Sequence, residues 1–195
     1  MTERPIIMQG SSVRAILDGR KTQTRTAVKL PEPNTGEVIP GDLLWVKETW
    51  QVATGARSGD LGAAVRYRED NSIQACWMPA SKPLPLGLTF ARWRSPLFMP
   101  RWASRLTLRI TDVRVQRVQE ISEDDAIAEG AQHYPDIPTG ILQHSRWSMF
   151  EPSSTDDCLG TARHAFGNYW DHIHAKRAPW SSNPWVWAIS FEVMP

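Results

Sequence analysis

Apolar positions divide the chain into a few strongly patterned stretches separated by two long irregular ones. Val13, Ile16 and Leu17 recur at helical spacing, with Ser11 or Ser12 ahead as N-cap and Gly19 behind as a stop, which predicts a short amphipathic helix. Lys21-Thr22-Gln23-Thr24-Arg25-Thr26 then alternates threonine with longer polar side chains before Ala27-Val28, the pattern of a strand leaving a turn. Proline and glycine dominate from Pro31 to Gly41 and predict a loop. From Leu43 to Trp50 apolar residues occupy both faces at the start and β-branched or aromatic residues recur, so a buried central strand is expected.

Residues 53–100 hold no sustained period; Gly, Pro and Ser recur between short apolar patches such as Ala63–Tyr67 and Leu84–Phe90, and the segment reads as an insertion. The pattern sharpens at Leu106, Leu108 and Ile110, pauses at Asp112, and resumes through Val113, Val115 and Val118 as strand. Ser122 to Gly130 has a serine cap, early acids and a terminal glycine, and predicts a second helix. His133 to Asp157 is a second irregular insertion around Trp147-Ser148-Met149-Phe150. Leu159, Ala162, Ala165, Phe166, Tyr169, Trp170 and Ile173 form one face of a third helix. Trp185, Trp187, Ile189, Phe191 and Val193 lie on one side of a closing strand. Two or three helices and at least five strands in irregular order point to an α+β fold, a curled sheet with helices at its rim. The chain reads as one domain over 1–195 with insertions near 53–100 and 133–157.

Charge narrows the range of partners. With 22 basic against 21 acidic residues there is no global field for coating nucleic acid, so any such contact must be local. Cys76 and Cys158 are isolated, and His133, His144, His164, His172 and His174 show no ligand spacing, so neither a disulfide framework nor a metal or other cofactor is expected. No signal peptide or membrane span is evident, and a cytoplasmic location without membrane attachment is expected. No GxGxxG or GxxxxGK[ST] string supports a dinucleotide or P-loop site. Most of the ten tryptophans suit a core, with one or two left to stack a base.

Four phrases carry a family resemblance: Arg14-Ala15-Ile16-Leu17-Asp18-Gly19-Arg20-Lys21-Thr22-Gln23-Thr24-Arg25, Leu44-Trp45-Val46-Lys47-Glu48-Thr49-Trp50, Met99-Pro100-Arg101-Trp102-Ala103-Ser104-Arg105 and Asn183-Pro184-Trp185-Val186-Trp187. In that order they resemble the ASCH family, relatives of the PUA RNA-binding domains, and most of all its tryptophan-rich phage and prophage members. The resemblance implies a PUA-like β-barrel of five or more strands, with a nucleoside or RNA as partner; the oligomeric state stays open. It departs from the family's Gly-x-Lys-x-x-(Glu or Thr)-x-Arg pattern at the last place, where Thr26 stands beside Arg25.

Some small members of the family remove the acetyl group from N4-acetylcytidine, and the resemblance maps their Lys, Thr and Glu set onto Lys21, Thr24 and Glu129. A threonine hydroxyl attacks only when a base takes its proton, and a desolvated lysine can be that base. Lys21 and Thr24, three apart, converge only if the chain turns between them. Arg25, Trp50, Arg101, Trp102, Ser104 and Arg105 are the candidate ligand-binding residues, since arginine pairs phosphate and tryptophan stacks a base. Three readings stay open: an amidohydrolase on an N-acylated cytidine, a non-catalytic RNA-binding module, and a metal-independent ribonuclease using Lys21 and Arg25 on phosphate. The same residues also have plain structural roles, as helix-end cations, strand threonines and a solvated helix glutamate.

Overall fold

The computed structural model describes residues 1–28, 38–54, 62–77, 92–135, 146–154 and 157–195. Its main elements begin with β1 (Glu3–Ile7), α1 (Gly10–Leu17), β2 (Gln23–Ala27), β3 (Leu43–Lys47), β4 (Trp50–Thr54), β5 (Gly62–Tyr67) and β6 (Ile73–Trp77). They continue with β7 (Thr107–Arg117), α2 (Glu123–Ala128), β8 (Gln132–His133), β9 (Trp147–Ser148), α3 (Ala162–His174) and β10 (Trp185–Val193). The fold is mixed α+β. Two compact units divide it: Met1–Arg14, Asp42–Arg109 and Val193–Pro195 form the first, Ala15–Gly41 and Ile110–Glu192 the second.

In the first unit β3 lies between β1, its parallel partner, and the start of β7, its antiparallel one. Alternation is strict here. Leu44, Val46 and Leu108 are buried on one face, whereas Glu3, Pro5, Ile7 and Arg109 are exposed on the other. The expected strand from Leu43 to Trp50 is interrupted at Glu48 and Thr49, and β4 starts a separate antiparallel sheet, β4-β5-β6. The segment read as irregular therefore carries two strands, β5 and β6. Trp50, Val52, Val65, Tyr67, Cys76, Met99 and Ala103 form their core. These strands are five or six residues long, too short for a period to show. The patch Leu84–Phe90 lies outside the described residues.

In the second unit β10 pairs antiparallel with β2 and neighbours the later part of β7. The burial of β10 changes face: Val186 and Ala188 are buried first, then Ile189 and Phe191, so the single apolar side expected from Trp185 to Val193 is corrected. Helix α3 starts at Ala162, with Thr161 Oγ1 accepting from His164 N, so the helix expected from Leu159 is corrected at its start, where Leu159 instead bridges to Trp147. The helix packs Ala162, Ala165, Phe166, Tyr169 and Trp170 into a core with Val118, Ala126 and Val186. Two short strands, β8 and β9, pair inside the second expected insertion. Among the described residues no strand pairing closes either run of strands into a barrel, so the barrel expectation is met only as a sheet with helices.

Helix α1 begins at Gly10, where Gln9 O accepts from Val13 N, which places both candidate capping serines inside the first turn. Helix α2 is capped as expected, with Ser122 Oγ accepting from Asp125 N.

Candidate functional site

Two helix ends build the centre of the second unit. At the end of α1, Gly19 N donates to Ile16 O (3.0 Å) and Arg20 N to Ala15 O (2.8 Å), with Gly19 at φ +71°. At the end of α2, Gly130 N donates to Ile127 O (2.8 Å) and Ala131 N to Ala126 O (3.1 Å), with Gly130 at φ +108°. Both are Schellman closures, which require a left-handed residue that glycine supplies without a Cβ penalty. The second is crowded as well: a Cβ on Gly130 would stand 3.0 Å from that of Ala15.

The segment leaving α1 runs along the carbonyls that α2 leaves open. Thr22 N donates to Ala128 O (2.8 Å), Lys21 Nζ to Glu129 O (2.8 Å) and Arg20 NH1 to Gly130 O (3.1 Å). Three successive residues thus satisfy three successive carbonyls, and two of the donors are cations placed where the helix dipole is negative.

Lys21 and Glu129, far apart in sequence, meet here. Lys21 Nζ lies 2.5 Å from Glu129 Oε2, and each side chain is 2% exposed. Arg25 NH1 donates to the other carboxylate oxygen, Oε1 (3.0 Å), and to Gln23 Oε1 (2.6 Å). Arg25 NH2 reaches Asp125 Oδ2 at 2.8 Å, and Arg114 NH2 holds Asp125 Oδ1 at 3.0 Å. Arg25 Nε is buried with no partner among the described residues, and the guanidinium carbon sits 5.7 Å from the centre of the Phe166 ring.

Burial pushes the Lys21 amine below the usual lysine range; Glu129 opposes the shift without reversing it. Burial works against the Asp125 carboxylate, yet the bonds from Arg114 and the charge of Arg25 hold its pKa below the ordinary value.

Thr24 occupies the other side of β2. Gln23 and Arg25 bond to each other across one face, so the side chain between them points the opposite way. Its hydroxyl makes no hydrogen bond to Lys21 or Glu129. The structure brings together two of the three residues expected to act as a set.

The remaining candidates lie in the first unit, most of them in packing or closed networks. Trp50 is 2% exposed and meets Trp102 edge-on, ring centres 6.0 Å apart. Ser104 Oγ donates to Val46 O and Leu106 O. Arg105 grips Glu48 through two bonds of 2.9 Å, bonds Asp70 (2.6 Å) and Ser72 (2.8 Å), and lies 4.1 Å above the Tyr67 ring. Burial raises the Glu48 pKa against the pull of Arg105. Asp70 behaves oppositely: although slight burial acts the other way, bonds from Arg105 and Ser72 bring it down to about 2.

Arg101 alone among these candidates is well exposed, at 44%, and the ring it stands over is that of Trp45, 6.0 Å away, not the adjacent Trp102. Sequence reasoning missed Asp125, Arg114, Glu48 and Trp45. Asp125 offered one signal, its place among the acids of the α2 first turn, but that position reads equally as dipole compensation.

Among the described residues no group of His, Cys, Asp and Glu side chains is placed to hold a metal, and no helix is long and apolar enough to cross a membrane. No family model matches the chain, and no curated protein does. Two solved structures are similar to it. An ASCH domain from Lactobacillus crispatus is 13% identical with a TM-score of 0.43, the match covering 98% of this chain and 79% of that one. A protein from Enterococcus faecalis assigned to the family DUF984 is 12% identical with a TM-score of 0.42, the match covering 100% and 80%.

Proposed function

We propose that the protein interacts with RNA or a modified nucleoside, and that Lys21 and Glu129 form the centre at which the acyl group of N4-acetylcytidine or a related base is hydrolysed. One observation carries this reading: a desolvated amine in hydrogen-bond contact with a buried carboxylate, between the residue positions that the ASCH resemblance singles out. In its neutral form Lys21 takes the proton of an attacking hydroxyl as the oxygen adds to the acyl carbon. The bond from that carbon to the exocyclic nitrogen then breaks, and the nitrogen takes the proton back from the ammonium. With water as the attacking hydroxyl the acyl group leaves as carboxylate, since Thr24 lies on the other side of β2 and bonds neither Lys21 nor Glu129. Glu129 holds the amine in place.

The test is cytidine release from N4-acetylcytidine and a panel of acylated nucleosides. Wild-type turnover should fall by roughly 10²- to 10⁴-fold in Lys21→Met, the range general acid–base help supplies. Turnover no greater than that of Lys21→Met across the panel rejects the hydrolytic reading. The position of Thr24 favours a second reading, binding without catalysis, in which Thr24→Val changes no rate because there is none to change. The ribonuclease reading has less support, since Arg25 and Lys21 are both committed to carboxylates and leave no free charge for phosphate.

A further inference from the structure

The first unit carries a surface that the deacylation reading does not use. On the outer face of its sheet Trp45 sits between Pro5 of β1 and Thr107 of β7, in register with both. Sheet faces open to water usually carry small or polar side chains; here a half-buried indole occupies the middle strand. Two cations flank it. Lys47 Nζ is 5.5 Å from the ring centre and the Arg101 guanidinium carbon 6.0 Å.

The Lys47 ammonium has no carboxylate partner among the described residues. It donates to Leu97 O at 2.5 Å, which ties the strand to the 3-10 turn Pro96–Phe98. That turn presents Leu97 at 59% and Phe98 at 71% exposure, while the next residue, Met99, is buried and anchors it. Ile7, in register with Lys47, is 53% exposed. Glu3 is the carboxylate bonded to Arg101, 2.7 Å away.

The charge along the chain supports the same surface. From Asn71 to Thr111 there is no Asp or Glu, whereas Lys82, Arg92, Arg94, Arg101, Arg105 and Arg109 fall in that stretch. A nearly neutral protein thus concentrates cations in the part of its sequence that supplies the exposed turn, although Arg101 is paired with Glu3 and Arg105 with Glu48 and Asp70 from outside that stretch. Arg92 and Arg94 form no ion pair among the described residues.

We infer that the face formed by Trp45, Lys47, Phe98 and Arg101 binds single-stranded polynucleotide, the rings stacking on bases and the cations contacting phosphates. Rings that accept any base, set beside cations, suit a flexible polyanion. An acidic peptide would use the cations but not an exposed phenylalanine and indole together. This surface stands apart from the Lys21 reading, and either can fail without the other.

The experiment is fluorescence anisotropy of labelled twelve-residue RNA and DNA oligomers with the full chain. Wild type should bind, and the logarithm of affinity should fall with the logarithm of salt by about 0.7 for each phosphate neutralised. Lys47→Glu with Arg101→Ser should weaken binding at least tenfold and flatten that slope by about 1.4. Phe98→Ser, which removes a ring already in water, should weaken binding at least fivefold with the salt slope unchanged. Thermal melting of each variant must match wild type for its result to count, and Phe98→Ser is the substitution least able to disturb folding. Equal loss for RNA and DNA supports backbone and stacking recognition, and a loss confined to RNA assigns the surface to RNA. Wild type failing to bind either oligomer at 50 mM salt, or folded Phe98→Ser and Lys47→Glu/Arg101→Ser variants binding as wild type does, overturns the inference. Cytidine release by Phe98→Ser, measured in parallel, should stay at the wild-type rate.

Discussion

Glu129→Gln isolates the energetics of the buried centre. The substitution keeps the shape of the side chain and removes its charge, leaving Lys21 2% exposed with no anion against its amine. Breaking a buried pair from one side typically costs about 3–5 kcal/mol, because the remaining charge is uncompensated. Lys21 has an escape, which is to lose its proton. Keeping the amine neutral at pH 7 costs at most about 5 kcal/mol, set by the distance from the ordinary value of 10.5. Arg25 has no such escape but retains Asp125.

The two estimates coincide, so Glu129→Gln should lose about 3–5 kcal/mol in urea denaturation at pH 7. The sign of its pH dependence follows from proton counting. The unfolded chain protonates Lys21 up to its ordinary range while the folded variant resists, so the unfolded state binds more protons and stability rises with pH. The slope approaches about 1.4 kcal/mol per unit between neutral pH and the ordinary lysine range. Wild type should show the same sign more weakly, since its Lys21 pKa is lowered against the opposing pull of Glu129. Lys21→Met should lack this rise, and the double variant Lys21→Met/Glu129→Gln should be more stable than the sum of the single losses by at least about 1 kcal/mol. A loss below about 1 kcal/mol in Glu129→Gln, or strict additivity in the double variant, would refute the account of the centre as a tightly coupled buried pair.

Other consequences can be checked in the same denaturation assay. Gly130→Ala should cost more than Gly19→Ala, because both positions have positive φ but a Cβ at 130 also meets Ala15, whereas one at 19 enters open space; about 1 kcal/mol is expected at 19 and at least about twice that at 130. Ser122→Ala should cost about 1 kcal/mol through the lost cap of α2. Asp70→Asn should reduce the loss of stability on acidification from pH 4 towards 2, since Asp70 falls from its ordinary value of 3.8 to about 2 in the folded protein and its contribution disappears as pH drops through that window. Glu48 works in the opposite sense: its raised pKa makes its contribution largest in acid and smaller as pH climbs above 4.5, so Glu48→Gln should remove a fall in stability on that side.

Much of the fold was legible because its signals are local. Helices α2 and α3 followed from Ser122, Gly130 and a continuous apolar face, and β7 from its alternation. The strands of the segment after Thr54 were not legible, since five or six residues between unpatterned stretches fit several structures equally. The barrel and the constant face of β10 were expectations about how strands close and which side is covered, and neither is set by the residues of one strand.

For the sites, the sequence by itself named Lys21 and Glu129 through a family likeness, and located the glycines that end α1 and α2. It also determined the concentration of cations between Asn71 and Thr111, a matter of counting. Only tertiary structure decided that Arg25 and Asp125 close the network round Glu129, that Thr24 faces away from it, and that Arg101 pairs with Trp45 instead of its neighbour Trp102. The reason is physical: capping, turns and periodicity act within a few residues, whereas a charge or a ring finds its partner by whichever distant segment packing brings within a few ångströms.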